Sequence, residues 1–290
     1  MSEEWRKWEW LGNHVLLREI VIKGKVRNLE PIRIGTGKET APFAPADLLV
    51  LKFRVGNREV PVIPGSSWKG VFRSTATRLA LSRRLKVCSG LPGESCLQGN
   101  EFDYIEKAKM GFEDSVRTKI ESIIKKNIRL CLLCRIFGSP GYFSHVSFAN
   151  SYPEGEFKFG YRTMVAINRR TGAAHRGALF TVEYVEPDTV FSFELVARNL
   201  PNYALGLLAE ALMEIHSGVV RIGGLKSRGF GKIRFDEVKF EVYGNKGIVD
   251  GKFAKLDPYD VEVEYTPNGW DLLRRLIEAW RNVSGKLQDL

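Results

Sequence analysis

Along this chain the apolar spacing changes between a period of two and a helical period in one fixed order, and that order limits the folds open to it. From His14 to Arg27 the run HVLLREIVIKGKVR sets Ile20, Ile22 and Val26 on one face and Val21, Lys23, Lys25 and Arg27 on the other, which predicts a strand with a largely basic face. The stretch LEPIRIGTGKETAPFAPAD, with two close glycines and three prolines, follows as a long loop. LLVLKFRV and REVPVIP then flank Gly56-Asn57, a hairpin signal. SSWKGVFRSTATRLALSRRL carries Trp68, Val71, Phe72, Ala76 and Leu79 at helical spacing, with Ser66 or Ser67 as candidate N-cap and Lys69, Arg73 and Arg78 on the other face. Further on, ALFTVEYVE and TVFSFELVAR read as strands, YALGLLAEALMEIH as a helix, and GKIRFDEVKFEVY as a closing strand. GWDLLRRLIEAWRNV, with Trp270, Leu273, Ile277 and Trp280 on one side, predicts a terminal helix that packs back on the domain.

Residues 86–140 hold all four cysteines and a charged helical stretch, and read as an insertion. Without it the order is strand, helix, strands, helix, loop, strand. That is the βαββαβ order of ferredoxin-like α+β domains, which RNA-recognition modules also use. The expected organisation is a single domain over residues 1–290. Its core covers about 14–85 and 180–243, a projecting hairpin about 160–182, and a C-terminal extension 244–290. With 290 residues, 44% of them apolar, such a core is within reach. The opening MSEEWRKWEW has no apolar leader core, and no segment approaches the roughly 18 apolar residues that a membrane helix needs. The expectation is a soluble, cytoplasmic protein with no membrane partner. A formal charge of +10 favours a polyanionic partner, nucleic acid first.

The loop RIGGLKSRGFGKI sits between the second helix and the last strand. Gly223, Gly224, Gly229 and Gly231 let its backbone take positive φ and come close to a ligand, while exposed N–H groups with Lys226, Ser227 and Arg228 suit a phosphate. Mononucleotide-binding loops run from a strand into a helix, and this one runs from a helix into a strand, which argues for a polymer backbone over ATP. The competing reading is a surface turn. At GSSWKG a helix start offers N–H groups and a positive dipole end, Ser66, Ser67 and Lys69 add donors, and Arg73 would extend the basic strip one turn on. The competing reading there is an ordinary N-cap with Trp68 in the core. Among the cysteines, Cys131-x2-Cys134 is a good half of a zinc site and Cys88-x7-Cys96 a looser second half. No secretory signal argues for disulfides. Four thiolates would leave zinc no open position, so the metal would be structural, clamping the insertion to the core, with His145 as a substitute ligand. The alternative is four free thiols.

IPGSSWKGVFR (Ile63 to Arg73) and GGLKSRGFGKI (Gly223 to Ile233) closely resemble the paired signatures of the RAMP superfamily, the RNA-binding proteins of CRISPR systems. CLLCRIFGSP and AINRRTGAAHRGALFTVEYVEPDTVF are similar to other stretches of that family, so the resemblance runs from about residue 18 to 243. Within the superfamily the chain looks most like the backbone subunit of type III effector complexes, which coats guide CRISPR RNA and in many members cuts the bound target RNA. The resemblance implies guide RNA, target RNA and other effector subunits as partners, with helical self-association. It implies a thumb hairpin in AINRRTGAAHRGALF, where Arg169, Arg170 and Arg176 would reach phosphates, His175 would at most touch RNA, and an apolar tip would wedge between bases. It also implies cleavage by an aspartate shortly past an Ile-Gly pair, assisted by Mg²⁺ or Mn²⁺. Asp47 holds that position after Ile34-Gly35, with Glu39 as the fallback carboxylate; Ala46 and Leu48-Leu49 depart from the usual surroundings, and the competing reading has Asp47 only ending a loop. Two other roles stay open. A repeat-RNA processing endonuclease would use a histidine near the first helix, but Ser67 to Leu85 contains none and His14 precedes the first strand. A non-catalytic end subunit of the same complex would account for the extra C-terminal helix.

Overall fold

The period-two run forms strand β1 (Glu19–Asn28) in the interior of a four-stranded antiparallel sheet, in a computed structural model that describes residues 3–35, 37 and 44–289. Its inward residues Ile20, Ile22 and Val26 are buried, while Lys23 and Lys25 are exposed, as a half-buried strand requires. After β1 come the hairpin strands β2 (Lys52–Val55) and β3 (Arg58–Pro61), which turn at Gly56-Asn57, and then helix α1 (Gly65–Ser82). The insertion holds α2 (Asp103–Lys107), α3 (Phe112–Ile124) and α4 (Leu132–Phe137). Next are β4 (Val146–Phe148), β5 (Phe159–Ile167), β6 (Ala174–Val185), β7 (Val190–Arg198), α5 (Asn202–His216), β8 (Ile233–Tyr243) and α6 (Gly269–Val283). The sheet order is β4-β7-β1-β8, with Ile22 opposite Leu195 on one side and Phe240 on the other. The mixed α/β architecture with antiparallel sheets is compatible with a ferredoxin-like fold.

One strand assignment needs correcting. ALFTVEYVE does not join the central sheet; it belongs to β6, which pairs with β5 in a separate two-stranded hairpin. The edge strand beside β7 is the three-residue β4, too short to show any period in the sequence. Residues Val182 and Val185 of β6 are nonetheless buried, because they pair with Leu48 and Ile32 in the loop that follows β1.

Helices α1 and α5 cover one face of the sheet. Trp68 of α1 packs edge-on against Phe193 with ring centroids 5.0 Å apart, and Phe193 meets Phe235 in the same way. Helix α6 forms a further layer on α5, where a Cβ at Gly206 would overlap the Leu276 carbonyl oxygen; only glycine allows that approach. The buried Glu210 accepts from Trp280 Nε1 at 2.7 Å and from Arg281 at 2.7 Å. No helix among the described residues is long and apolar enough to cross a membrane.

Candidate nucleic-acid interface

The glycine loop is not slack. Gly223, Gly229 and Gly231 take φ of 83°, 77° and 86°, and Leu225 between them also lies in the left-handed region. The loop is fastened at both ends: Ile222 N–H donates to Gly231 O at 2.9 Å, Gly231 N–H to Pro31 O at 2.9 Å, and Gly224 N–H to Arg33 O at 2.8 Å. A fork from Arg221 onto Glu30, with a further bond to Phe230 O at 3.0 Å, closes its base. Phe230 is fully buried, while Lys226, Ser227 and Arg228 project into solvent on a single 3-10 turn. The strained conformation is held by neighbours, so three polar side chains are presented on a rigid mount.

From that loop a series of main-chain bonds crosses the edge of the molecule. Gly224 bonds Arg33, Leu51 N–H donates to Ile34 O at 2.7 Å, and Val62 N–H, three residues before the start of α1, donates to Leu51 O at 3.1 Å. Leu48 N–H donates to Thr181 O and Glu183 N–H to Leu48 O, so the same segment is stitched to β6. The Asp47 carboxylate is exposed and accepts from Thr181 N–H at 2.6 Å. Behind it the buried Glu183 accepts from Lys52 Nζ at 2.7 Å, from Val50 N–H and from Tyr161 Oη, which fixes the base of the hairpin. Glycine loop, Ile34-Gly35, the loop segment from Leu48 to Leu51 and the approach to α1 are therefore joined by main-chain bonds. Glu39 lies outside the described residues.

At the helix start the structure differs from the N-cap reading. Pro64 is the cap residue, Ser66 and Ser67 lie inside the first turn, and no side chain of the chain's own helix caps it. Gly65 N–H donates to Asn150 Oδ1 at 2.9 Å, and Ser67 and Trp68 donate to Pro64 O, so fewer donors face outward than GSSWKG suggests. Trp68 is in the core and donates to Ser151 Oγ at 2.7 Å. Lys69 is half-buried, and desolvation, with Arg73 adding to it, lowers its pKa. Arg73 leaves the basic strip: its guanidinium reaches Gly138 O at 3.3 Å and Cys134 Sγ at 3.6 Å.

The four cysteines converge. Their sulfurs all lie within 4.8 Å of one another, with Cys88 3.3 Å from Cys134 and Cys131 3.8 Å from Cys88, and none is in a disulfide. A tetrahedral zinc with Zn–S of about 2.3 Å needs sulfurs about 3.8 Å apart, so the set has the right size for structural metal. Hydrogen bonds with Cys134 and Cys96 favour the thiolate at Cys131 and raise the pKa of Cys134 in turn. His145 is not part of the cluster; it is buried, bonded to Arg198 O at 2.9 Å, and held down to a pKa of about 4 by desolvation.

On the hairpin, Arg169 and Arg170 are exposed at the turn, where Asn168 Oδ1 accepts from Arg170 N–H. The Arg176 side chain lies outside the described residues. Ile167 and Leu179 are exposed apolar residues on the arm. Sequence reasoning missed Arg162, whose guanidinium stacks over Phe230 of the glycine loop at 5.3 Å and over Tyr184 at 5.7 Å. It also missed Asn150 and Arg33. For Arg33 a signal existed: Ile32 and Ile34 flank it at a period of two and are buried, which turns Arg33 to the opposite side.

A sequence model of the RAMP superfamily matches residues 25–234. No curated protein matches the chain.

Proposed function

The chain belongs to the RAMP superfamily, and on that premise we propose that it is the RNA-binding backbone subunit of a type III CRISPR effector complex, which coats guide RNA and cleaves bound target RNA. The observation that carries the reading is the run of main-chain bonds from Gly224 through Arg33, Ile34 and Leu51 to Val62, which ties a glycine loop pinned at both ends to the loop that follows β1, the loop that also carries Asp47. Lys226, Ser227 and Arg228 on that loop, with Ser66, Ser67 and Lys69, supply sequence-independent phosphate contacts, while Arg169 and Arg170 on the hairpin reach further along the strand. Such a surface suits a subunit that repeats along a guide by helical self-association.

In the cleavage step a ribose 2′-hydroxyl attacks its own 3′-phosphate, the bond to the next nucleotide's 5′-oxygen breaks, and a cyclic phosphate and a 5′-hydroxyl result. Asp47, oriented by the Thr181 amide, accepts or directs the hydroxyl proton. Among the described residues the cysteines are the one grouped set of ligands, so a Mg²⁺ or Mn²⁺ ion would be shared between Asp47, water and RNA phosphates, as Mg²⁺ favours. Bound there, such an ion would offset negative charge on the phosphate. The test is target-RNA cleavage by the reconstituted complex carrying wild-type or Asp47→Ala subunit, with Mg²⁺ or Mn²⁺ and with chelator. Regularly spaced cuts lost in the variant while guide binding survives are expected. Wild-type complex that holds guide RNA and makes no cuts with either metal removes the nuclease.

A second reading, a non-catalytic end subunit, draws support from the layer that α6 adds over α5 beyond the family match at residue 234. The same experiment separates the two. For the cysteines, zinc held by Cys88, Cys96, Cys131 and Cys134 is the structural metal proposed. Arg73 beside Cys134 would offset part of the negative charge of four thiolates.

A further inference from the structure

Two arginines near the two ends of β1 present opposite states. Arg18 is fully buried and satisfied: its guanidinium donates to Ala254 O at 3.0 Å and Asn202 Oδ1 at 2.8 Å, and also to Leu200 O. Arg33 is half-buried, and among the described residues its guanidinium meets no carboxylate and no hydrogen-bond acceptor; its Nε is enclosed without a partner. Desolvation lowers its pKa, with no neighbouring charge opposing that effect. A structural arginine is bonded as Arg18 is, because burying a cation alone costs free energy.

The surroundings of Arg33 say what it lacks. Its Nη2 stands 2.9 Å from where a Cβ on Gly35 would be, and its Nη1 3.3 Å from a Cβ on Gly224, so the two absent side chains leave the guanidinium its place between turn and loop. Its own carbonyl is the anchor of the Gly224 amide at 2.8 Å, which holds the residue in register with Lys226, Ser227 and Arg228. Three other arginines are already engaged, Arg221 by Glu30, Arg27 by Asp236 and Arg162 by two aromatic rings, and Arg228 on the loop projects into solvent. We propose that Arg33 is a further RNA-binding residue, whose guanidinium takes one backbone phosphate in the gap between Gly35 and the glycine loop. The inference rests on the reading of this surface as the RNA interface. A phosphodiester brings both the missing negative charge and a pair of acceptor oxygens that match a guanidinium fork.

The test uses the full chain and a 20-nucleotide mixed-sequence single-stranded RNA, with binding followed by fluorescence anisotropy over a salt series and folding by thermal melts. Arg33→Gln is expected to bind about tenfold more weakly, with a salt slope lower by about 0.7, the value for one phosphate contact on a single strand. Arg33→Lys should recover part of the affinity, because it restores charge without the fork. Both variants should melt at or above the wild-type temperature, since an unpaired, half-buried cation has been removed or made easier to solvate. Wild-type affinity and slope in Arg33→Gln, while Lys226→Gln weakens binding, would overturn the role of Arg33 and leave the RNA surface standing. A clear drop in melting temperature for Arg33→Gln would make it a structural residue and overturn the proposal as well. If wild-type protein fails to bind the RNA even at low salt, the reading of the surface falls and takes Arg33 with it.

Discussion

At residue scale, Gly229 and Gly231 share a positive φ and differ in why they are glycine. A Cβ on Gly231 would overlap the Ile222 carbonyl oxygen, whereas a Cβ on Gly229 would meet nothing within 4 Å. Gly229→Ala therefore carries only the left-handed penalty, about 1 kcal/mol. Gly231→Ala adds a collision with main chain that cannot yield, because Ile222 N–H is itself bonded to Gly231 O. It should cost about 3 kcal/mol. Urea unfolding of the two variants checks this, and equal losses would mean that the loop is not pinned at Ile222. In the sequence, the phosphate-binding reading of the loop rests on glycine and basic residues clustered within thirteen positions. It could not tell which glycines border open space and which press on their own backbone.

Among elements, the reading succeeded where a pattern is local and long. Strand β1, helices α1, α5 and α6, and the turn at Gly56-Asn57 each carry their period or turn residues within a few positions. It failed at β4, whose three residues are fixed by pairing with β7, and at β6, whose strong alternation serves the hairpin. The cysteine set was legible because Cys131-x2-Cys134 has ligand spacing, and Cys131, the cap of α4, and Cys134 in its first turn bring both sulfurs into one group. The turn of Arg73 toward Cys134 was not, since helical spacing alone puts it beside Lys69. If zinc joins residues 86–140 to the core, purified protein should contain about one zinc per chain, and chelation should lower the melting temperature. Limited proteolysis should then cut first within the insertion. Cys131→Ser should reproduce both effects without chelator. Metal-free protein that melts and digests like the untreated sample would leave the four sulfurs as packed thiols.

For the whole molecule the question is which face carries the excess charge to a polyanion. RNA-recognition modules of this architecture stack bases on aromatic side chains of the open sheet face. Here Phe191, Phe193 and Phe235 are buried, and the rings of Phe193 and Phe235 pack with Trp68 of α1. The open face is a lattice of ion pairs, Lys23 with Glu241 at 2.8 Å, Lys25 with Glu154 at 3.5 Å and Arg27 with Asp236 at 2.8 Å. Each cation there has its counter-charge within the protein, so it has little to gain from displacing salt ions on a phosphate. On the glycine loop Lys226 and Arg228 form no ion pair among the described residues and project into solvent. On the proposed reading, the excess positive charge meets RNA at the loop edge and not on the sheet. Replacing Lys226 and Arg228 together by Gln should lower the salt slope of single-strand RNA binding by about 1.4, two contacts at about 0.7 each. Replacing Lys23 and Lys25 by Gln should leave the slope unchanged and stability within about 0.5 kcal/mol. Anisotropy titrations of the two double variants decide between the faces, and a slope that falls as far for the sheet pair as for the loop pair would put the RNA on the sheet.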